Sequence, residues 1–103
     1  MKASLLTQRV IDCLRRFDPA VRVTLFGSRA RGEAHATSDW DFLVQLSIPV
    51  TSQLRRAIRD ALYNIELDTG ELISTIIHEV KDSGRYAATP LYRNIGVEGI
   101  VVR

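Results

Sequence analysis

Two aspartates one residue apart, Asp39 and Asp41 in Ser38-Asp39-Trp40-Asp41, are the residues of this chain best suited to chemistry. Side chains of a strand alternate between faces, so both carboxylates leave the same face and lie side by side. Paired carboxylates repel and hold their protons more tightly unless a cation lies between them. Magnesium suits that place, because it takes hard oxygen ligands and keeps positions open for water and substrate phosphates. Upstream, Gly27-Ser28 interrupts an apolar, β-branched run that begins at Val21. A glycine there lets backbone approach a ligand closely, and the serine hydroxyl can donate to a phosphate oxygen. If Ser28 also opens a helical turn, its free N–H groups form an anion site. Arg29 and Arg31 add positive charge nearby. A phosphate site one strand away from a metal site points to a metal–nucleotide complex.

Either piece alone is weak. A glycine followed by serine is commonly a plain turn, and D-x-D is commonly a solvated strand end. Their occurrence together, both at strand ends and with arginines between them, favours the functional reading. The stretch from Val21 to Leu46 then reads as strand, phosphate-sized turn, short helix or loop, and strand. The second strand carries Trp40, Phe42, Val44 and Leu46 on the face away from the acids, so Trp40 is expected in the core. His35 falls in the polar loop from Glu33 to Thr37 and reads as a solvated side chain.

The remaining elements must hold those two strands. Leu6, Val10, Cys13, Leu14 and Phe17 recur at helical spacing between Ser4 and Phe17, predicting an amphipathic helix stopped by Asp18-Pro19. Thr51 or Ser52 caps a second helix expected to run to about Glu66, with Leu54, Ile58, Ala61, Leu62 and Ile65 as its apolar stripe. Asp68-Thr69-Gly70 signals a turn, and the β-branched run from Glu71 to His78 a third strand. Thr89-Pro90 opens a short helix expected to end at Gly96, and Gly99 to Val102 is an edge strand or a partner-facing tail. Tyr86 and Tyr92 read as packing residues. The expected architecture is α/β, of the α+β kind: one domain over residues 1–103, with a small mixed sheet of three to four strands flanked by helices.

Composition narrows the partners. The net charge of +2 is small and the 14 basic residues are scattered, so a nucleic-acid footprint is not demanded. A local patch around Arg29 and Arg31 is better matched to a triphosphate. One cysteine, Cys13, excludes an internal disulfide, and its place in a helical stripe makes it a small buried hydrophobe. A reducing cytoplasm fits. No apolar run approaches the ~20 residues that span a bilayer, so no membrane contact is expected.

Gly27-Ser28-Arg29-Ala30-Arg31-Gly32 followed by Ser38-Asp39-Trp40-Asp41 resembles the G-S-x-A-x-G…S-D-x-D signature of the nucleotidyltransferase superfamily that includes DNA polymerase β. The short chain resembles its minimal branch, often the antitoxin partner of a HEPN-type toxin. The resemblance implies transfer of a nucleoside monophosphate, AMP from ATP, to a hydroxyl. Asp39 and Asp41 would hold two Mg2+ ions. Gly27, Ser28, Arg29, Arg31 and Ser38 would bind the nucleotide. The family's third carboxylate usually stands on the neighbouring strand and acts as base, yet the interior from Leu72 to Ile77 has no acid. Glu71 at its entrance is the candidate for that catalytic and metal-binding role, with Asp68 and Glu79 on either side of the run.

So short a chain has room for the catalytic sheet and little else, which makes another protein the expected acceptor platform. By resemblance that partner is a small helical HEPN-type protein. Nucleotidylation of an antibiotic or small metabolite, with a homo-oligomer interface holding the second substrate, is the alternative enzyme reading. A catalytically silent antitoxin that keeps the nucleotide fold and acts by binding is the reading from another class.

Overall fold

The structure, a computed structural model, describes residues 3–103. Helix α1 spans Ala3–Phe17 and is followed by strand β1, Arg22–Phe26, and a single helical turn α2, Ser28–Arg31. Strand β2 is Trp40–Leu46, helix α3 Ser52–Thr69 and strand β3 Ile73–Glu79. A 3-10 turn at Val80–Asp82 leads into the short helix α4, Ser83–Tyr86, then helix α5, Pro90–Glu98, and strand β4, Ile100–Val101.

The four strands form one sheet in the order β3-β2-β1-β4. β1 pairs antiparallel with β2 and with β4, whereas β3 runs parallel to β2. A parallel neighbour needs a crossover, and α3 provides it. The mixed sheet with flanking helices is therefore the expected α/β architecture.

One face of the sheet is the core. Val23 and Leu25 of β1, Trp40, Phe42, Val44 and Leu46 of β2, and Ile77 of β3 are buried there with Leu6, Val10, Cys13 and Leu14 of α1 and Ile58, Leu62 and Ile65 of α3. The apolar spacing read from the sequence thus places α1 and α3 on this side. Asp18, only 2% exposed, closes one end. Its carboxylate accepts from the Ser47 N–H (2.7 Å) and hydroxyl and from the Ala20 N–H (3.0 Å), tying the end of α1 to the end of β2.

Three element boundaries differ from the sequence expectation. α3 runs past Glu66 to Thr69 and stops at Gly70, whose N–H bonds the Glu66 carbonyl. β3 begins at Ile73 rather than Glu71 and ends at Glu79. α5 passes through Gly96 and ends at Gly99, where a Cβ would collide with the Ile95 carbonyl oxygen. The C-terminal stretch is an edge strand, β4, pairing Val101 with Thr24 and Ile100 with Leu25.

On the opposite sheet face, Thr24, Leu43 and Gln45 line a cavity of about 350 Å3 beneath Tyr92 and Ile95 of α5. His78 of β3 stacks on Tyr86 at 4.0 Å between ring centroids, and its Nδ1 shares a hydrogen bond with the Tyr92 hydroxyl. The two tyrosines therefore pack as expected, fastening α4 and α5 over this part of the sheet. Asp41 and Ser74 stand at the other end of the same face, half-buried and exposed respectively.

Candidate functional site

Alternation along β2 puts Asp41 on the face opposite Trp40 and Phe42, as the sequence predicts. Asp41 faces Phe26 across the β1 ladder, the residue just before Gly27. Gly27 is the N-cap of α2 and has φ +72° and ψ −159°, a backbone conformation open in practice to glycine alone. A Cβ built on Gly27 would collide with Asp41 Oδ2. The glycine turn and the second carboxylate of D-x-D are thus in contact, with only a missing side chain between them.

α2 is held by the Gly27 carbonyl, which accepts from the N–H groups of Ala30 and Arg31, both at 3.1 Å. Ser28 is its first residue. The motif therefore folds as strand, glycine turn and helical turn, and brings Gly27, Ser28, Asp39 and Asp41 to one end of the β1–β2 pair.

Burial pushes the Asp41 carboxyl up, the Asp39 charge beside it pushes it further, and the Arg31 charge pulls it back down. Arg31 itself is shared between Glu33 (3.2 Å) and Glu98 at the end of α5 (3.3 Å). No basic side chain bonds either aspartate among the described residues. Two adjacent carboxylates without a bonded cation, open to solvent at a glycine turn, are a donor set that fits magnesium, which takes one or two protein carboxylates and fills its remaining positions with water and phosphate.

Two of the residues read as nucleotide ligands are committed elsewhere. Arg29 turns to the Trp40 side: its guanidinium carbon lies 4.3 Å from the Trp40 ring centre, and Nη2 donates to the Ser38 carbonyl at 2.9 Å. Ser38 Oγ accepts from the His35 N–H at 3.0 Å and so fixes the turn that delivers Asp39 to β2. Trp40 is 3% exposed and belongs to the core. His35 remains in the loop, with Nδ1 3.4 Å from that same Ser38 hydroxyl.

Glu71 does not join the carboxylate pair. Its carboxylate accepts from Trp40 Nε1 at 3.1 Å and lies 3.7 Å from Arg29 Nη2. Trp40 points to the core face, so Glu71 is drawn there, and no group of three His, Cys, Asp or Glu side chains able to hold a metal exists among the described residues. The physical reason is register: β3 starts two residues later than the sequence suggested, and Glu71 lies before it. Asp68 is occupied by Arg9 of α1 at 2.6 Å, and Glu79 ends β3 with Lys81 3.6 Å away.

The residue that does face the pair was missed. Parallel pairing sets Ser74 of β3 opposite Asp41, and Ser74 Oγ is 3.4 Å from Asp39 Oδ2. Its signal was faint, a single polar residue in Ile73-Ser74-Thr75-Ile76-Ile77. Ser74 also borders a groove of about 480 Å3 along the β3 edge, lined by Arg59, Tyr63 and Glu66 of α3. A second cleft, about 520 Å3, is lined by Ile11, Leu25, Arg29 and Trp40 and opens on the core side, away from the acids.

Comparison with known proteins gives the chain a family and agrees with its fold. A family model described as a nucleotidyltransferase domain matches residues 7–90. No curated protein matches the chain significantly. Among solved structures, a toxin–antitoxin complex with AMP-PNP is similar at a TM-score of 0.68 and 21% identity, over 93% of this chain and 71% of that one. A mutant of the MntA–HpeT toxin–antitoxin pair is similar at a TM-score of 0.66 and 18% identity, with the same coverage. At these identities the likeness is one of fold.

Proposed function

The chain belongs to the nucleotidyltransferase domain family, and from that premise we propose that it transfers AMP from ATP to a hydroxyl on a helical HEPN-type toxin, acting as its antitoxin. The contact between Gly27 and Asp41 carries this reading, because it joins a phosphate-sized turn to a metal-binding carboxylate. The toxin–antitoxin character of the structural neighbours, one solved with an ATP analogue, supports the nucleotide and the partner.

Asp39 and Asp41 would hold two Mg2+ ions, which when bound would neutralise triphosphate charge and lower the pKa of the acceptor hydroxyl. The Gly27 turn would admit the β- and γ-phosphates to close backbone approach, and the Ser28 hydroxyl would donate to one of their oxygens. Arg31, near enough to act on Asp41, would offset charge on the departing pyrophosphate. Arg29 would hold Ser38 and Trp40 in place rather than touch phosphate. The acceptor hydroxyl attacks the α-phosphorus in line. Catalysis is then mainly positioning and charge neutralisation.

The test is transfer of label from α-labelled ATP, with magnesium, to a HEPN-type partner. Wild type should label the partner and Asp41→Asn should not. Equal labelling by both proteins would remove Asp41 from the reaction. A binding-only antitoxin is the second reading, and it is favoured by Ser74 standing where a third acid would complete the set. An Asp41→Asn protein that still neutralises its partner, with no label transferred by wild type, would establish it.

A further inference from the structure

Ser74 supplies the hydroxyl of β3 on the carboxylate face, since Thr75 points to the opposite side. Its Oγ lies 3.4 Å from Asp39 Oδ2, the side chain is exposed, and Asp39 is its hydrogen-bond partner in the fold. A hydroxyl this close to a carboxylate that would hold magnesium is placed where a bound ion would lower its pKa. The separation is long for a hydrogen bond, as contacts in catalytic sites commonly are before substrate binds. The nearby Ser38 hydroxyl is engaged by the His35 N–H. Ser74 therefore stands beside the proposed nucleotide site, on a strand that holds it in register with Asp41.

We propose that Ser74 is an internal acceptor: with no partner present, the chain transfers a nucleoside monophosphate from a bound nucleoside triphosphate to its own Ser74. The proposal rests on the transferase reading. Ser74 Oγ attacks the α-phosphorus and the Oγ–phosphorus bond forms. The bond from the α-phosphorus to the α,β-bridging oxygen breaks, and pyrophosphate leaves with that electron pair. The hydroxyl proton passes to water, since Asp39 would be committed to magnesium. The product is a phosphodiester whose negative charge lies beside two carboxylates and whose bulk fills the acceptor position. Self-modification then stops after one group per chain and blocks transfer to anything else.

The purified chain is incubated with magnesium and α-labelled ATP at several protein concentrations, followed by intact mass and peptide mapping. The expected result is at most one nucleotidyl group per chain, mapped to Ser74, with a rate per molecule independent of protein concentration. Ser74→Ala and Asp41→Asn should remain unlabelled, and Ser74→Thr, which keeps a hydroxyl, should be labelled at position 74. Label persisting in Ser74→Ala, label on another residue, or a rate rising with protein concentration overturns the proposal while leaving the transferase intact. An unlabelled wild type that AMP-PNP and magnesium still stabilise against melting does the same. An unlabelled wild type with no such stabilisation overturns the nucleotide site itself. Melting with magnesium alone tests the placement without turnover. Ser74→Asp, adding a third carboxylate next to Asp39, should be stabilised by magnesium more than wild type, and an unchanged response places Ser74 away from the ion.

Discussion

The two faces of β2 divide the work of the protein residue by residue. Trp40, Phe42, Val44 and Leu46 are at most 3% exposed and lie beneath α1 and α3, whereas Asp41, one bond away in the chain, stands at the open end of the other face. The core face tolerates no change in volume because it is close-packed. The carboxylate face tolerates change in charge, because its groups are partly solvated and repel one another without a cation. Substitutions on the core face and at the carboxylate end of the other face should therefore fail in different ways: the first lose the fold, the second only the chemistry.

Phe42→Ala is the largest test. Phe42 is fully buried, and truncation should cost about 3–5 kcal/mol of stability by urea unfolding, the usual range for a core phenylalanine. Asp41→Asn beside it should keep wild-type stability or gain slightly from lost repulsion. If both variants unfold at the same denaturant concentration, the two faces are not separate. Gly27→Ala joins them. Its backbone lies at φ +72° and its new methyl would strike Asp41, so a stability cost of about 1–3 kcal/mol should accompany loss of magnesium-dependent nucleotide binding. Wild-type nucleotide affinity in this variant would break the link between turn and carboxylate.

Glu71→Gln gives a smaller effect and decides on which face Glu71 acts. Weakening its contacts with Trp40 Nε1 and Arg29 should cost about 1 kcal/mol, the scale of one hydrogen bond, and leave the magnesium dependence of melting unchanged. A loss of magnesium response equal to that of Asp41→Asn would return Glu71 to the metal.

The difference between the faces also decided what was legible in the sequence. β2 alternates cleanly, so its phase, the burial of Trp40 and the pairing of Asp39 with Asp41 on one side could be read from spacing alone. β3 is apolar on both faces: Ile77 packs in the core while Ile76 lies on the other side. No alternation marked its phase, and a one-residue shift exchanges the two faces. For that reason Ser74 was not singled out, and Glu71 was placed at the entrance of a strand that begins two residues later. Gly96 and Asp68-Thr69-Gly70 were read as stops from local propensity. Helix α5 instead continues until Gly99, where the backbone must pass close to Ile95 and Thr24, and α3 gains a turn in which Asp68 meets Arg9 of α1. A contact distant in the chain accompanies the end of α5, whereas α3 stops at the local cap of Gly70. Arg29 illustrates the same limit, since the motif gives its position but not the side to which its long side chain turns.

Asp18 gives the smallest and most gradual effect, at the margin where the core face meets solvent. Burial alone would push its carboxyl up, but the Ser47 N–H and hydroxyl, the Ala20 N–H and the Arg103 charge together bring it below the ordinary aspartate value. The unfolded chain therefore binds this proton more readily than the folded one. Its contribution to stability is fully present above the unfolded pKa, about 3.9, and is lost as pH falls through the lower folded value. Urea unfolding followed from neutral pH into acid should show wild type losing stability in that range, and Asp18→Asn should lose less there while being weaker at neutral pH. Parallel acid profiles for the two proteins would mean that the carboxylate gains nothing from Ser47. The end of β2 would then be held by the packing of Leu46 alone, and the core face would need no polar anchor at its margin.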